Sequence, residues 1–238
     1  MQLLLISSST VHGSGYLDHA ETEIRDFLGD VKRVLFVPFA LRDHETYTAS
    51  AQQRFAKMGY ELASIHTATN PAQVVKYAEA IFIGGGNTFR LLKALYDHNL
   101  IDSIRRRITD GMPYIGSSAG SNVAGPTIKT TNDMPIVEPP SFDALNLVWF
   151  QINPHYLDAD PNSTHMGETR EQRLLQFLEE NSTPVAAIRE GAMLRIQDGV
   201  TILKGSSGAR IFRQGLEPVE TVPGDQLDAL LQLAPPTA

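Results

Sequence analysis

The chain has 238 residues, a hydrophobic content of 42%, no cysteine and a formal net charge of −7. This is enough apolar material for a large core, and an α/β chain of this length is expected to form one domain over 1–238. Lack of cysteine excludes a thiol nucleophile, disulfides and thiolate metal sites, and an acidic balance without a basic block speaks against nucleic acid as the main partner. Arg105-Arg106-Arg107 is the one dense basic run and reads as a solvated helix face. The opening run Leu3 to Ile6 has no basic leader, and no stretch is apolar for long enough to span a bilayer. The expectation is a cytoplasmic protein with no membrane partner.

In chain order, Gln2 to Ile6 is a short apolar run that ends in Ser7-Ser8-Ser9-Thr10, the pattern of a buried parallel strand entering a loop. Tyr16 to Leu28 has the spacing of a helix, Val34 to Phe39 is a second strand, and Thr46 to Met58 a second helix stopped by Gly59. A strand near Leu62 to His66, a short helix after Asn70-Pro71 and the strand Ala80 to Ile83 continue the alternation. Such alternation predicts a mostly parallel sheet covered by helices on both faces.

The Ala80 strand ends in Gly84-Gly85-Gly86-Asn87-Thr88. Serial glycines let main-chain N–H groups approach a ligand, as a phosphate cradle or as half of an oxyanion hole, although an ordinary turn capped by Asn87 has the same composition. It is neither a Walker loop nor a dinucleotide fingerprint. Farther on, Tyr114-Ile115-Gly116-Ser117-Ser118-Ala119-Gly120 places one serine between two glycines. The spacing Gly116-x-Ser118-x-Gly120 suits a sharp strand-to-helix turn that exposes the central hydroxyl, which makes Ser118 the candidate nucleophile. A helix starting just after it would aim free N–H groups at an oxyanion.

A long polar, Pro-rich stretch from Thr127 to Pro140 carries Asp133. Leu147 to Ile152 reads as a strand ended by Asn153-Pro154-His155-Tyr156, so His155 sits where an imidazole can serve Ser118 as general base. Asp158, Asp160 and His165 have the residue types of a metal site but the spacing of none. Gly167 to Arg173 opens a helix with a Thr169/Gln172 capping-box pattern, and Arg170 and Arg173 near its positive end hint at an anion. Val185 to Ile188 is a strand that leads to Glu190, a carboxylate able to fix the tautomer of His155. Asp198-Gly199 signals a hairpin between Met193–Gln197 and Val200–Lys204. Short strands at Ala209 to Phe212 and Pro218 to Val222, and a helix from Asp225 to Leu233, close the chain.

These segments together resemble the peptidase E family, the α-aspartyl dipeptidases of a serine peptidase group that also includes cyanophycinase. The likeness covers nearly the whole chain and is densest at Gly84 to Phe89, Tyr114 to Asn122, Thr130 to Val137, Gln151 to His155 and Gly167 to Arg173. It implies a class I glutamine-amidotransferase-like α/β sandwich with a small β-hairpin edge near the C-terminus. It also implies a nucleophile at Ser118, a base at His155, and oxyanion N–H groups from Gly86 and Ala119. Glu190 and Asp133 both have a claim on the orienting carboxylate; Glu190 is favoured because it ends a sheet strand. The implied reaction is hydrolysis of Asp-X through an acyl-enzyme, and the cation needed to read the aspartyl carboxylate is expected to be Arg170, with Asn87 as polar neighbour. No metal or organic cofactor is implied; the partner is a small peptide and the protein a monomer or homodimer. Ser117 departs from the large aromatic residue that related enzymes often carry there, which bears on the pocket wall. The alternatives are a small-anion-binding module of the same fold and an acyl hydrolase of other specificity, such as a cyanophycinase-like peptidase.

Overall fold

The structure is a computed structural model that describes residues 1–162, 164 and 166–232. The strands in chain order are β1 (Gln2–Ile6), β2 (Arg33–Val37), β3 (Glu61–Ser64), β4 (Ala80–Ile83), β5 (Tyr114–Ser117), β6 (Gln151–Tyr156), β7 (Val185–Arg189), β8 (Ala192–Gln197), β9 (Val200–Gly205), β10 (Ala209–Phe212) and β11 (Val219–Thr221). The α-helices are α1 (Glu21–Leu28), α2 (His44–Lys57), α3 (Pro71–Tyr77), α4 (Thr88–Asp97), α5 (Ile101–Thr109), α6 (Ala119–Asn122) and α7 (Arg170–Glu180).

Seven strands form one sheet in the order β3-β2-β4-β5-β1-β8-β9. The first five pair in parallel, and the hairpin β8–β9 is added antiparallel beside β1. β1, β4 and β5 are apolar on both faces because helices cover both. Leu3, Leu5, Ile81 and Tyr114 pack toward α4 and α5. Leu4, Ile6, Phe36 and Phe82 pack toward α1 and α2 on the opposite face. A second sheet, ordered β11-β10-β7-β6, buries Tyr156, Val185 and Phe212 against Leu174 and Leu178 of α7.

The expected α/β class and C-terminal hairpin are present, and several boundaries differ. Leu17 adopts a left-handed conformation, so the segment from Tyr16 begins as a short 3₁₀ turn over Asp18–Ala20 before α1. Residues 147–150 are irregular, and β6 starts at Gln151 and runs through His155 rather than ending before it. The Asp225 to Leu233 segment is no helix over its described residues. Gln226 instead bridges to Ile202, and Leu203 and Asp225 share a main-chain hydrogen bond, so the segment seals the β9 edge. The arginine run is a solvated face only at Arg106. Arg105 donates to the Leu145 and Ala144 carbonyls and Arg107 to that of Ala78, pinning loops to α5.

Candidate active site

β5 meets α6 at Ser118, which holds φ 53° and ψ −111°. The flanking glycines serve a different purpose from backbone freedom at positive φ. A Cβ on Gly116 would come within 2.5 Å of the Gly120 carbonyl oxygen, and one on Gly120 would overlap the carbonyl of Ile83. They permit close approach, while the strained conformation falls on Ser118 itself, a cost of roughly 1–3 kcal/mol that the surroundings must offset. Three hydrogen bonds hold the turn: Ser118 N–H to the Ile6 carbonyl at 2.9 Å, the buried Tyr114 hydroxyl to the Gly120 carbonyl at 2.5 Å, and the Ser121 hydroxyl to the Ile6 carbonyl at 2.7 Å.

His155 comes from the second sheet. Pro154 has no N–H to give to a ladder, and the register of β6 on β7 slips between Asn153 and Tyr156. At this bulge His155 takes φ 54° and its side chain is re-aimed. Its Nε2 lies 2.9 Å from Ser118 Oγ and its Nδ1 lies 2.8 Å from Glu190 Oε1. A carboxylate only accepts, so Nδ1 carries the proton and Nε2 offers its lone pair to the serine hydroxyl. Glu190 occupies the short link between β7 and β8, where the chain passes from one sheet to the other.

Asp133, the other candidate acid, is committed elsewhere. Its carboxylate accepts from the Thr88 N–H at 2.7 Å, the Thr88 hydroxyl at 2.6 Å and the Thr131 hydroxyl at 3.2 Å. It therefore clasps the long loop to the N-terminus of α4, where a negative charge is favoured. Asn87 works at the same junction: its side-chain oxygen caps α4 by accepting from Arg90 N–H, and its amide donates to the Met134 carbonyl. Both ends of the Asn87 side chain are thus occupied by protein.

The Gly86 and Ala119 N–H groups have no acceptor among the described residues; Ala119 follows the serine in sequence and Gly86 lines the same cleft as the serine. Gly86 has φ +134°, and a Cβ there would lie 2.6 Å from the Ala40 carbonyl oxygen, so glycine is required at this position. A Cβ on Gly85 would lie 2.9 Å from that of Ser118, which measures how closely the loop approaches this serine.

Two clefts meet at His155. One, about 690 Å³, is lined by Asn132, Asp133, Arg170 and Glu190; the other, about 570 Å³, by Tyr16, Leu41, Tyr47, Gly86 and Ser118. Arg170 begins α7 behind the Thr169/Gln172 capping box and has no hydrogen-bond or ion-pair partner among the described residues. Burial lowers its pKa, the Arg173 charge adds to that, and Asp133 opposes it. A half-buried guanidinium in this state favours an incoming carboxylate. Arg173 instead faces Glu168 at 3.6 Å. Tyr16, Leu41 and Tyr47 escaped the sequence reading, since nothing in their spacing separates them from core.

Asp158 holds Arg189 through two contacts of 2.7 and 2.9 Å, and Asp160 accepts from the N–H of Asn162. His165 lies outside the described residues. Among the described residues no group of three or more His, Asp or Glu is placed to hold a metal ion, and no helix is long and apolar enough to cross a membrane.

The chain is similar to known proteins over nearly its whole length. The chain is 51% identical over 233 residues to "Peptidase E" of Streptomyces coelicolor, covering 98% of this chain and 96% of that protein. It is 48% identical over 233 residues to the "Probable alpha-aspartyl dipeptidase" of Drosophila melanogaster, covering 97% of each. The crystal structure of a peptidase from an acI-B1 Actinobacterium shares the fold, with a TM-score of 0.70 at 19% identity over 94% of this chain and 95% of that one. The family model for "Peptidase family S51" matches residues 3–204. With a serine at a strained turn, an imidazole within hydrogen-bond reach of it and a family match over most of its length, the chain belongs to peptidase family S51.

Proposed function

We propose that the protein is a serine-dependent dipeptidase that hydrolyses Asp-X peptides through an acyl-enzyme, with Ser118 as nucleophile, His155 as general base and Glu190 as the orienting carboxylate. The observation that carries this reading is the unbroken chain from Ser118 Oγ to His155 Nε2 at 2.9 Å and from His155 Nδ1 to Glu190 Oε1 at 2.8 Å. The names of the Streptomyces and Drosophila relatives support the substrate class.

His155 Nε2 takes the Ser118 proton as Oγ attacks the aspartyl carbonyl, while Glu190 stabilises the imidazolium that forms. The free N–H groups of Gly86 and Ala119 receive the negative charge on the carbonyl oxygen. Collapse of the tetrahedral species breaks the C–N bond, and His155 gives its proton to the departing amine. Water then gives a proton to Nε2 as it attacks the ester, and release of aspartate returns that proton to Ser118. Arg170 pairs with the substrate's side-chain carboxylate in the larger cleft. On this reading the enzyme works on small peptides in the cytoplasm, as a monomer or homodimer, and uses neither nucleic acid nor membrane.

The test compares hydrolysis of Asp-Leu, Glu-Leu, Ala-Leu and N-acetyl-Asp-Leu by the native protein and by Ser118→Ala. Asp-Leu should be cleaved fastest by the native protein and hardly at all by the variant. Equal rates across the panel would overturn the aspartyl assignment, and turnover surviving in Ser118→Ala would overturn the nucleophile.

A further inference from the structure

Ser7 directly follows β1 and is fully buried. Its hydroxyl donates to the Ile188 carbonyl at 2.8 Å and accepts from the His155 N–H at 2.9 Å. Its own N–H donates to the Ala192 carbonyl at 3.0 Å, and the preceding carbonyl, that of Ile6, accepts from the Ser118 N–H at 2.9 Å. The last residue of β1 and the residue after it thereby hold the backbone of Ser118, the backbone of His155, and the chain two residues before and two residues after Glu190.

The chemistry explains why a hydroxyl is needed. The bulge that follows Pro154 takes the His155 N–H out of the β6–β7 ladder, so a partly buried donor needs an acceptor from outside that sheet. The Ile188 carbonyl needs a donor at the same place. A serine hydroxyl supplies one donor and two acceptor lone pairs from a single atom, whereas a methyl group supplies neither and a thiol only weak versions of both.

We propose that Ser7 is a positioning residue for the reaction: its hydroxyl holds His155 in the left-handed conformation that aims the imidazole and sets the spacing of β6 from β7, and hence of His155 from Glu190. This role rests on the assignment of Ser118, His155 and Glu190 proposed above.

Ser7→Ala, Ser7→Cys and Ser7→Thr in the full chain test it, with kcat and KM on Asp-Leu, thermal melting, and the low-field NMR resonance of the His155 Nδ1 proton, assigned with His155→Gln. Ser7→Ala should lower kcat by about 10- to 100-fold with KM changed less than about twofold, because the loss is one of alignment rather than of substrate contact. Ser7→Cys should behave like Ser7→Ala, and Ser7→Thr, which keeps the hydroxyl, should recover most of kcat. The resonance should move toward that of free imidazole in Ala and Cys and stay in place in Thr. If Ser7→Ala fails to fold, Ser7→Cys, which keeps the shape of the side chain with a slightly larger atom, carries the same comparison. The inference is overturned by native kcat and an unmoved resonance in Ala or Cys, or by losses in all three variants that track melting temperature alone. The resonance needs no turnover: if the native protein ignores Asp-Leu while the resonance still responds to Ser7, the substrate assignment fails and the positioning role stands.

Discussion

Ser118 bears its own backbone strain, and the residues around it divide into those that hold the turn and those that face the cleft. Glu190 belongs to the second group: its side chain is 55% exposed, so replacing it disturbs little packing. Glu190→Gln should therefore lower kcat by about 10²- to 10⁴-fold with the melting temperature nearly unchanged. Asp133→Asn should do the reverse in stability, costing about 1 kcal/mol through the weakened clasp on Thr88, or roughly 2–4 °C in melting temperature. Kinetics and thermal melts on the two variants separate the claims of the two acids. Arg170→Ala should raise KM for Asp-Leu with little effect on melting, and Arg170→Lys should restore it only partly, since an ammonium lacks the bidentate fork; a substrate titration reads both. The approach of His155 to Ser118 was legible in the sequence because each ends or interrupts an apolar run. Ser7 was not, since a serine after a strand is ordinary until one sees what lies 148 residues away.

At the level of elements, glycines and prolines did more than punctuate. Gly120→Ala should destabilise the protein by about 1–3 kcal/mol, because the new methyl group collides with the main chain of β4 at Ile83, and a denaturant melt measures it. Pro154 invited the reading that a strand stops before it. In a parallel pair a bulge lets the strand resume, so β6 reaches Tyr156 and His155 sits inside the element. The parallel strands β1 to β5 were readable as short apolar runs separated by helical spacing. What could not be read was that Ala192 and Val200 begin strands of the first sheet while Val185 and Ala209 begin strands of the second. That partition depends on which edge is left open after the core has packed, a property of the assembled layers rather than of any local window.

Across the whole molecule, the first sheet supplies Ser118 and the second supplies His155, with Glu190 on the link between them. The second sheet is tied at its margin by Arg189, which grips Asp158 on one side and Glu220 on the other. The Arg189 guanidinium holds the Asp158 carboxyl below its usual range. A depressed folded-state pKa contributes stability above the ordinary carboxylate range and loses it as pH falls through the depressed value. Asp158→Asn should accordingly melt earlier than the native protein near neutral pH and converge with it in strong acid, which calorimetry across pH can follow. Splitting the site between two sheets also orders events during synthesis. A growing chain acquires its alcohol at position 118 well before the ring at 155 and the acid at 190 have been polymerised, so on the proposed assignment a half-made chain is chemically silent. If these three groups are the catalytic set, hydrolysis begins only when late-built segments have docked on early ones, and the ability to cut peptides is itself a report that the two sheets have joined.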